Sequence, residues 1–234
     1  MSSSQAVILA GGLGTRLRPI TEKIPKPLVE VAGKPFLHWQ LNEVALQGIT
    51  DVVVLVAYLG EQIEAAFGKG ESLGLNIRYV YEKEPMGTGG ALKNAFSMLN
   101  DEFILLNGDS FLSAPLLEML EALKKSDNEV LMSVYDNEEP TPVPLNLELS
   151  GDLVVKYEKG GGEAAGCTHV DSGVYALRKK VLLRTNREKF QLEELWPDLI
   201  GESKLVAFPV DERFYDIGTP ERIKEFEEIV SDYF

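Results

Sequence analysis

Hydrophobic and polar positions along the chain alternate between two kinds of segment. Short apolar runs, such as AVILA at 6–10 and DVVVLVAY at 51–58, are followed by segments with apolar residues at helical spacing, at 36–48 and 60–68. Apolar runs separated by helical segments predict a parallel β-sheet whose strands are connected by helices. Because the runs are apolar on both faces, we expect helices to cover both sides of the sheet.

The same alternation continues through the middle of the chain. Further strands are predicted at 76–82, 102–109 and 129–135, and further helices at 88–99 and 114–125. Each predicted helix carries apolar residues at intervals of three or four, as expected of a helix with one buried face. No stretch changes in composition sharply enough to mark a boundary, so we expect a single domain over residues 1–234.

The pattern changes after Asp136. A proline-rich loop at 137–144 is followed by two short alternating strands at 145–159, joined by a Ser-Gly-Asp turn that predicts a β-hairpin. The remaining elements are a strand that runs into a helix (170–182), a helix interrupted near Pro197 (190–201) and a terminal helix (219–230). We therefore expect an α/β fold with a mixed, mainly parallel sheet and a hairpin that serves as a lid.

Composition narrows the classes of function. A formal net charge of -14 argues against a nucleic-acid or anionic-membrane surface, since such partners need a broad basic patch. One cysteine cannot form an internal disulfide, and two histidines leave a structural zinc site short of ligands. The first residues lack a basic leader, and no apolar stretch approaches membrane-spanning length. We expect a cytoplasmic protein without a membrane partner.

Positive charge concentrates in one stretch, AGGLGTRLRPITEKIPKPL at 10–28, directly after the first strand. From Gly12 the third glycine of a dinucleotide fingerprint is missing, and there is no Walker A lysine. The bare amides of a glycine turn can still approach an anion, and Arg16 can bind it with two hydrogen bonds. Prolines on both sides of Lys26 stiffen the backbone that carries it. The alternatives are a small phosphate ligand and an ordinary glycine turn with surface charges.

This stretch resembles the sugar-phosphate nucleotidyltransferase family, whose signature is Gly-Gly-x-Gly-Thr-Arg-Leu followed by Pro-Lys-Pro. Four later segments are similar to the family's base-and-ribose, first metal-aspartate, sugar-phosphate lysine and second metal-aspartate segments: EPMGTGGAL (84–92), LLNGDSF (105–111), YEKGG (157–161) and FYDIGTPE (214–221). The resemblance covers nearly the whole chain. It implies a three-layer, Rossmann-like nucleotidyltransferase fold with a small β-hairpin insertion and an active site at the carboxyl ends of the strands.

The resemblance implies direct in-line attack of a sugar 1-phosphate oxygen on the α-phosphorus of a nucleoside triphosphate, with release of pyrophosphate. Arg16 would neutralise the pyrophosphate, Lys26 would stabilise charge at the α-phosphate, and Asp109 would complete the catalytic set. Asp109 and Asp216 would bind Mg²⁺, which suits one or two carboxylates together with phosphate oxygens. Taken alone, each aspartate is also typical of a turn or a helix cap.

The resemblance also implies binding residues. For the nucleotide they are Leu9, Ala10, Gly11, Gly12, Gly14, Thr15, Glu82, Gly87, Thr88, Asn107 and Gly108, and for the sugar phosphate Glu158, Lys159, Asp171 and Gly173. A carboxylate at Glu82 can accept two hydrogen bonds from guanine but only one from uracil or thymine, which favours GTP; the alternative is a solubilising surface residue. Asp171 departs from the family, whose members commonly carry asparagine in this segment.

Within the family, EKEPMGTGGALK and LNGDSF most resemble the D-glycero-D-manno-heptose 1-phosphate guanylyltransferase branch. One alternative is a uridylyl- or thymidylyltransferase acting on another sugar 1-phosphate, such as N-acetylmuramic acid 1-phosphate. A second is a non-catalytic sugar-nucleotide sensor, against which the full set of charged groups argues. The partners expected are a nucleoside triphosphate and a sugar 1-phosphate, with a heptose or related hexose as the sugar. Members of the family often form oligomers, so the resemblance also implies a homo-oligomer.

Overall fold

The computed structural model describes residues 3–233, with side chains as far as Val230. The chain forms two compact units, each built from separate segments. The first contains the chain up to Pro85, the short piece Leu106–Phe111 and the chain from Tyr215 onward; the second contains Met86–Leu105 and Leu112–Phe214. The expectation of a single domain stays a prediction.

The predicted strands occur in the predicted order, together with short strands that the sequence pattern did not predict. The strands are β1 (Gln5–Leu9), β2 (Glu30–Val31), β3 (Lys34–Pro35), β4 (Asp51–Val56), β5 (Asn76–Tyr81), β6 (Glu102–Asn107), β7 (Ser110–Phe111), β8 (Val130–Tyr135), β9 (Leu147–Ser150), β10 (Leu153–Tyr157), β11 (Val170–Arg178), β12 (Leu205–Pro209) and β13 (Tyr215–Asp216). The helices are α1 (Phe36–Leu46), α2 (Gly60–Phe67), α3 (Gly87–Asn94), α4 (Leu116–Lys124), α5 (Trp196–Gly201) and α6 (Pro220–Tyr233). None of the helices within the described residues is long and apolar enough to cross a membrane.

One mixed sheet is the main β-structure. Within the described residues it has nine strands in the order β5-β4-β1-β6-β11-β8-β12-β10-β9. In the first unit, β1 pairs with β4 and β4 with β5, both in parallel, with Val7 opposite Val53 and Val53 opposite Arg78. Five consecutive residues of β4, from 52 to 56, are buried, as the apolar character of both faces predicts.

An aromatic cluster in the first unit fixes the position of β13. The ring of Phe226 on α6 lies 5.4 Å from that of Phe36 on α1 and 5.0 Å from that of Phe111 on β7. These rings are buried together with Ile217, so the apolar face of α6 stays against the two short strands. β13 pairs with β7 in antiparallel fashion, and Asp216 lies opposite Ser110.

The second unit contains the predicted hairpin and one strand that the hydrophobic pattern missed. β9 and β10 pair in antiparallel fashion, which confirms the hairpin; its role as a lid stays a prediction. β8 pairs with β11 in antiparallel fashion and with β12 in parallel. The missed strand, β12, has only five residues.

Two predicted helices are shorter than expected. The segment after β11 forms a 3₁₀ helix at Lys179–Leu183. The segment around Pro197 begins as a 3₁₀ helix at Leu192–Leu195 and becomes α5 only at Trp196. Proline lacks an N–H and fits the first turn of a helix, so the interruption predicted from Pro197 becomes the start of an α-helix.

Candidate active site

The glycine loop, residues 10–16, follows β1 and packs against the chain that comes after it. Gly14 has a φ of 59°, and a Cβ there would lie 2.9 Å from Thr21 Cγ2 and 3.1 Å from Lys26 Cβ. The buried Thr21 hydroxyl donates a hydrogen bond of 2.7 Å to the Gly14 carbonyl. The turn therefore needs glycine for both its backbone angle and its space. Thr15 and Arg16, which follow it, are exposed.

Lys26 and Asp109 form an ion pair. Lys26 Nζ lies 2.8 Å from Asp109 Oδ2; the lysine side chain is 8% exposed and the carboxylate 44%. A buried ammonium group needs a charged partner, and Asp109 provides it. The other carboxylate oxygen, Oδ1, lies 3.4 Å from the Ser110 hydroxyl. Two residues that were predicted separately as catalytic are therefore in direct contact, which the sequence did not indicate.

The end of β6 closely approaches the end of β1 at Gly108. A Cβ on this buried glycine would lie 2.0 Å from the Leu9 carbonyl oxygen and 3.2 Å from Ala10 Cα. Only glycine allows the two backbones to come so close. Three predicted nucleotide-binding residues therefore meet at one point.

Asp216 has close partners that the sequence did not reveal. Its Oδ1 accepts a hydrogen bond of 2.7 Å from the Gly218 amide, and Arg222 Nη1 lies 2.9 Å from Oδ1 and 2.8 Å from Oδ2. The carboxylate is 10% exposed. Arg16 lies against the same turn, since a Cβ on Gly218 would be 3.0 Å from its Nη2. The predicted phosphate-binding arginine and the second predicted metal ligand are thus brought together.

The two aspartates belong to adjacent backbone segments, since the Ile217 amide donates to the Asp109 carbonyl at 3.1 Å. One or two carboxylates suit a hard divalent cation whose remaining ligands are phosphate oxygens and water. Asp109, which is 44% exposed, can present its carboxylate while it pairs with Lys26, whereas the more buried Asp216 would have to exchange bonds with Arg222. Among residues 3–233, no cluster of three or more His, Cys, Asp or Glu side chains could hold a metal alone. Substrate oxygens would have to complete the coordination.

Glu82 lies against the glycine loop. It is half-buried, and a Cβ on Gly11 would be 2.8 Å from its Oε1. Its amide donates to the Val56 carbonyl at 2.9 Å, which continues the parallel pairing beyond the end of β5. Both the role of Glu82 in binding the base and the alternative of a solubilising surface residue stay predictions.

In the second unit, the predicted base-and-ribose segment packs on residues 190–192, which the sequence did not single out. A Cβ on Gly87 would lie 2.5 Å from the Phe190 carbonyl oxygen, which also accepts hydrogen bonds from the amides of Gly89 and Gly90. The Thr88 hydroxyl accepts a hydrogen bond of 2.8 Å from the Leu192 amide. The first turn of α3 is therefore held by the protein itself, and Thr88 has a structural partner.

The predicted sugar-phosphate lysine also has an acidic partner. Lys159, 75% exposed, lies with its Nζ 2.6 Å from Oε1 of Glu193, a residue that the sequence did not single out. The adjacent Glu158 pairs instead with Lys156, at 2.9 Å. An anionic ligand of Lys159 would compete with the Glu193 carboxylate.

Asp171 lies at a bulge in β11. Its carboxylate accepts hydrogen bonds from the Tyr175 hydroxyl at 2.7 Å and from the buried Gly173 amide at 3.0 Å. Burial raises the pKa of Asp171 from 3.8 to about 6 and the nearby Glu193 adds to the rise, while the two hydrogen bonds lower it. Burial also raises the pKa of Tyr157, and the charges of Asp171 and Glu193 raise it further. Both oxygens of Asp171 therefore already have partners within the chain.

The predicted site residues are thus divided between the two units. The first unit contains Leu9, Ala10, Gly11, Gly12, Gly14, Thr15, Arg16, Lys26, Glu82, Asn107, Gly108, Asp109 and Asp216, and the second contains Gly87, Thr88, Glu158, Lys159, Asp171 and Gly173. The phosphate-binding and metal-binding predictions fall in the first unit, and the sugar-binding predictions fall in the second.

Comparison with known proteins gives matches along nearly the whole chain. The family model described as Nucleotidyl transferase matches residues 5–232. D-glycero-alpha-D-manno-heptose 1-phosphate guanylyltransferase from Campylobacter jejuni is 36% identical over 95% of this chain and 98% of its own length. Mannose-1-phosphate guanylyltransferase from Mycobacterium tuberculosis is also 36% identical, over 92% of this chain but only 61% of its own length.

Solved structures match equally far. HddC from Yersinia pseudotuberculosis, 30% identical, aligns with a TM-score of 0.82 over 97% of this chain and 99% of its own; a second structure of it, complexed with GMP-PN, aligns at 0.80. A putative glucose-1-phosphate thymidylyltransferase from Bacillus anthracis, 18% identical, aligns at 0.87 over 98% of this chain and 96% of its own. These alignments confirm the predicted α/β fold class.

Proposed function

Because the chain belongs to the nucleotidyl transferase family, we propose that it is a sugar-1-phosphate guanylyltransferase that transfers GMP from GTP to a heptose 1-phosphate. The observation that carries the proposal is the buried Lys26, fixed against the half-exposed Asp109 beside a glycine loop. A fixed cation next to a carboxylate suits a reaction that crowds several phosphates together. The names of the full-length relatives support guanine as the base and heptose as the sugar.

Catalysis in this proposal is electrostatic. The sugar phosphate oxygen forms a bond to the α-phosphorus, the bond from that phosphorus to the bridging oxygen breaks, and its electron pair leaves with pyrophosphate. The attacking oxygen is already ionised at neutral pH, so no general base is needed. Lys26 is held in place before the substrate arrives and stabilises charge at the α-phosphate with little reorganisation. Arg16, exposed at the glycine loop, binds the leaving pyrophosphate.

Asp109 and Asp216 are the proposed magnesium ligands. When bound, Mg²⁺ would neutralise phosphate charge and orient the phosphates. Asp109 presents its carboxylate from the end of β6, and Asp216 presents its own from β13, which pairs with β7. Arg222 balances the charge of Asp216 and would shift as that carboxylate binds the metal.

Base and sugar selection are assigned to separate groups. Glu82 would accept hydrogen bonds from N1–H and the amino group of guanine, and its position against Gly11 supports this. Lys159 would bind the sugar phosphate. Glu158, Asp171 and Gly173, which have partners within the chain, would have to exchange them in order to contact the sugar. Cytoplasmic location and homo-oligomerisation stay predictions.

The test is a pyrophosphate-release assay. The purified protein with Mg²⁺ is given GTP, UTP, dTTP or CTP, each with the 1-phosphates of D-glycero-α-D-manno-heptose, mannose and N-acetylmuramic acid. We expect the highest kcat/KM for GTP with the heptose phosphate. If no substrate combination releases pyrophosphate, the proposed activity is wrong. Nucleotide binding without turnover would instead indicate the non-catalytic sugar-nucleotide sensor.

A variant tests the base assignment. Glu82→Gln can still accept a hydrogen bond through its amide oxygen, but its amide nitrogen cannot accept one from guanine. The preference for GTP over UTP should therefore fall by about 5- to 150-fold, the equivalent of the 1–3 kcal/mol typical of a paired base contact. Glu71→Gln, at an exposed position outside the predicted motifs, is the control and should leave the preference unchanged. Equal preferences in the two variants would remove Glu82 from base recognition.

A further inference from the structure

Gln40 spans the turn that carries Asp109. This residue of α1 is 1% exposed, and its Nε2 donates hydrogen bonds to the Asn107 carbonyl at 2.8 Å and to the Ser110 carbonyl at 2.7 Å. The two acceptors lie on either side of Asp109 in the sequence. A single amide group therefore ties both ends of the turn to a helix.

The orientation of the Gln40 amide is fixed by its neighbours. The reversed amide would place Oε1 against two carbonyl oxygens, so the nitrogen must face the turn. In the observed orientation Oε1 is buried and has no hydrogen-bond partner among the described residues. A methionine would fill the same space without burying an unsatisfied acceptor. The contribution that distinguishes glutamine from an apolar residue of similar size at this position is therefore its two donated hydrogen bonds.

We propose that Gln40 is a positioning residue for Asp109 and thereby sets the affinity for the divalent cation. β6 ends at Asn107, and the turn beyond it has to hold a carboxylate toward both Lys26 and the metal. With the carbonyls at both ends fixed, the backbone of Asp109 cannot rotate away. The Gln40 side chain bonds only to backbone carbonyls of the turn and not to the Asp109 carboxylate. It therefore supports the proposed metal ligand from behind without binding the metal itself. The proposal rests on the proposed function, because that function makes Asp109 a metal ligand.

The experiment measures Mn²⁺ binding in the presence of GTP, by the electron paramagnetic resonance of free Mn²⁺, for the native protein and Gln40→Met. Loss of such a supporting group typically weakens metal affinity or activity by about 10- to 100-fold, and we expect a weakening of Mn²⁺ binding in this range. Binding of GTP without metal should weaken less than Mn²⁺ binding does, because Gln40 itself is not among the predicted nucleotide-binding residues. The kcat of Gln40→Met should recover in part at high metal concentration.

Gln47→Met is the matched control. Gln47 follows the end of the same helix, about 10 Å further along its axis at 1.5 Å per residue, and donates a side-chain hydrogen bond to Glu43. It should lose one bond and some thermal stability while Mn²⁺ affinity is unchanged. Equal Mn²⁺ affinity in the native protein, Gln40→Met and Gln47→Met would overturn the proposal.

A second variant covers the case in which Gln40→Met does not fold. Gln40→Asn keeps the amide but is shorter by one methylene, so it should reach one carbonyl at most and give an intermediate Mn²⁺ affinity. If neither variant folds, Gln40 supports the fold rather than Asp109, and the proposal is wrong. If the native protein binds Mn²⁺ and GTP in a Gln40-dependent way but transfers no nucleotide, the proposed function fails and this proposal stands. If the native protein is active and Gln40→Met binds Mn²⁺ normally, only this proposal falls.

Discussion

Replacement of Lys26 by methionine separates charge from packing at the candidate site. Methionine keeps most of the length of the lysine stem and removes the ammonium group that lies 2.8 Å from Asp109. If Lys26 stabilises charge at the α-phosphate, kcat should fall by about 10²- to 10³-fold, equivalent to about 2.7–4 kcal/mol for one preorganised donor.

The expected cost in stability is much smaller. Removing one partner of a fully buried pair costs about 3–5 kcal/mol because the remaining charge is stranded. Here the remaining carboxylate is 44% exposed, so water solvates it, and the desolvation of the ammonium group is relieved. We expect a loss of about 1 kcal/mol, closer to an exposed pair. For a domain of this size that lowers Tm by about 2–4 °C.

The assay pairs pyrophosphate release with a thermal melt of the same sample. Lys23→Met is the control, because Lys23 lies in the same loop with an exposed side chain. It should leave kcat nearly unchanged and, like most surface substitutions, change the free energy of unfolding by no more than about 0.5 kcal/mol. An unchanged kcat in Lys26→Met, or a loss of activity that merely follows a large loss of folded protein, would refute the assignment.

Three further predictions concern other parts of the molecule. Gly108→Ala should cause a severe loss of folded protein in a thermal melt, because its Cβ would lie 2.0 Å from the Leu9 carbonyl oxygen; a melt like that of the native protein would contradict the close approach. Asp171→Asn should raise Tm relative to the native protein at pH values above about 6 but not near pH 4. Protonated Asp171 contributes stability that is fully present below pH 3.8 and is lost as the pH rises through its raised pKa of about 6. A Tm difference that stays constant across this pH range would contradict the raised pKa. Glu193→Gln should lower the KM for the sugar 1-phosphate by up to about fivefold with kcat unchanged, since an exposed pair is worth about 0.2–1 kcal/mol and Lys159 would lose a competitor; a higher KM would show that Glu193 assists binding instead.

The elements of the fold were largely predictable from local pattern. Runs such as 51–56 are apolar at every position but the first, and such a strand can only be buried. The short strands β7, β12 and β13 were not predicted, because segments of two to five residues are too short to show a clear alternation of apolar and polar positions. Their positions depend instead on long-range packing such as that of Phe226.

Candidate site residues were predictable where they lie in the signature motifs, and their partners were not. Lys26 and Asp109 each belong to a motif, but their contact depends on tertiary structure. Gln40 left one signal, a polar residue within the apolar stretch FLHWQL, which local pattern cannot distinguish from a surface position. Arg222 and Glu193 lie among charged residues that are typical of solvated surfaces, so only the folded structure reveals what they contact.

The antiparallel pairing of β7 with β13 has a consequence for how activity is acquired. The first unit is assembled from three segments that are distant in sequence, and Asp109 and Asp216 come from different segments. Contacts between distant segments form late, because loop closure costs entropy before those contacts repay it. During refolding, recovery of the helical signal should therefore precede recovery of turnover. Enzymatic activity would then report the completion of the fold rather than its onset.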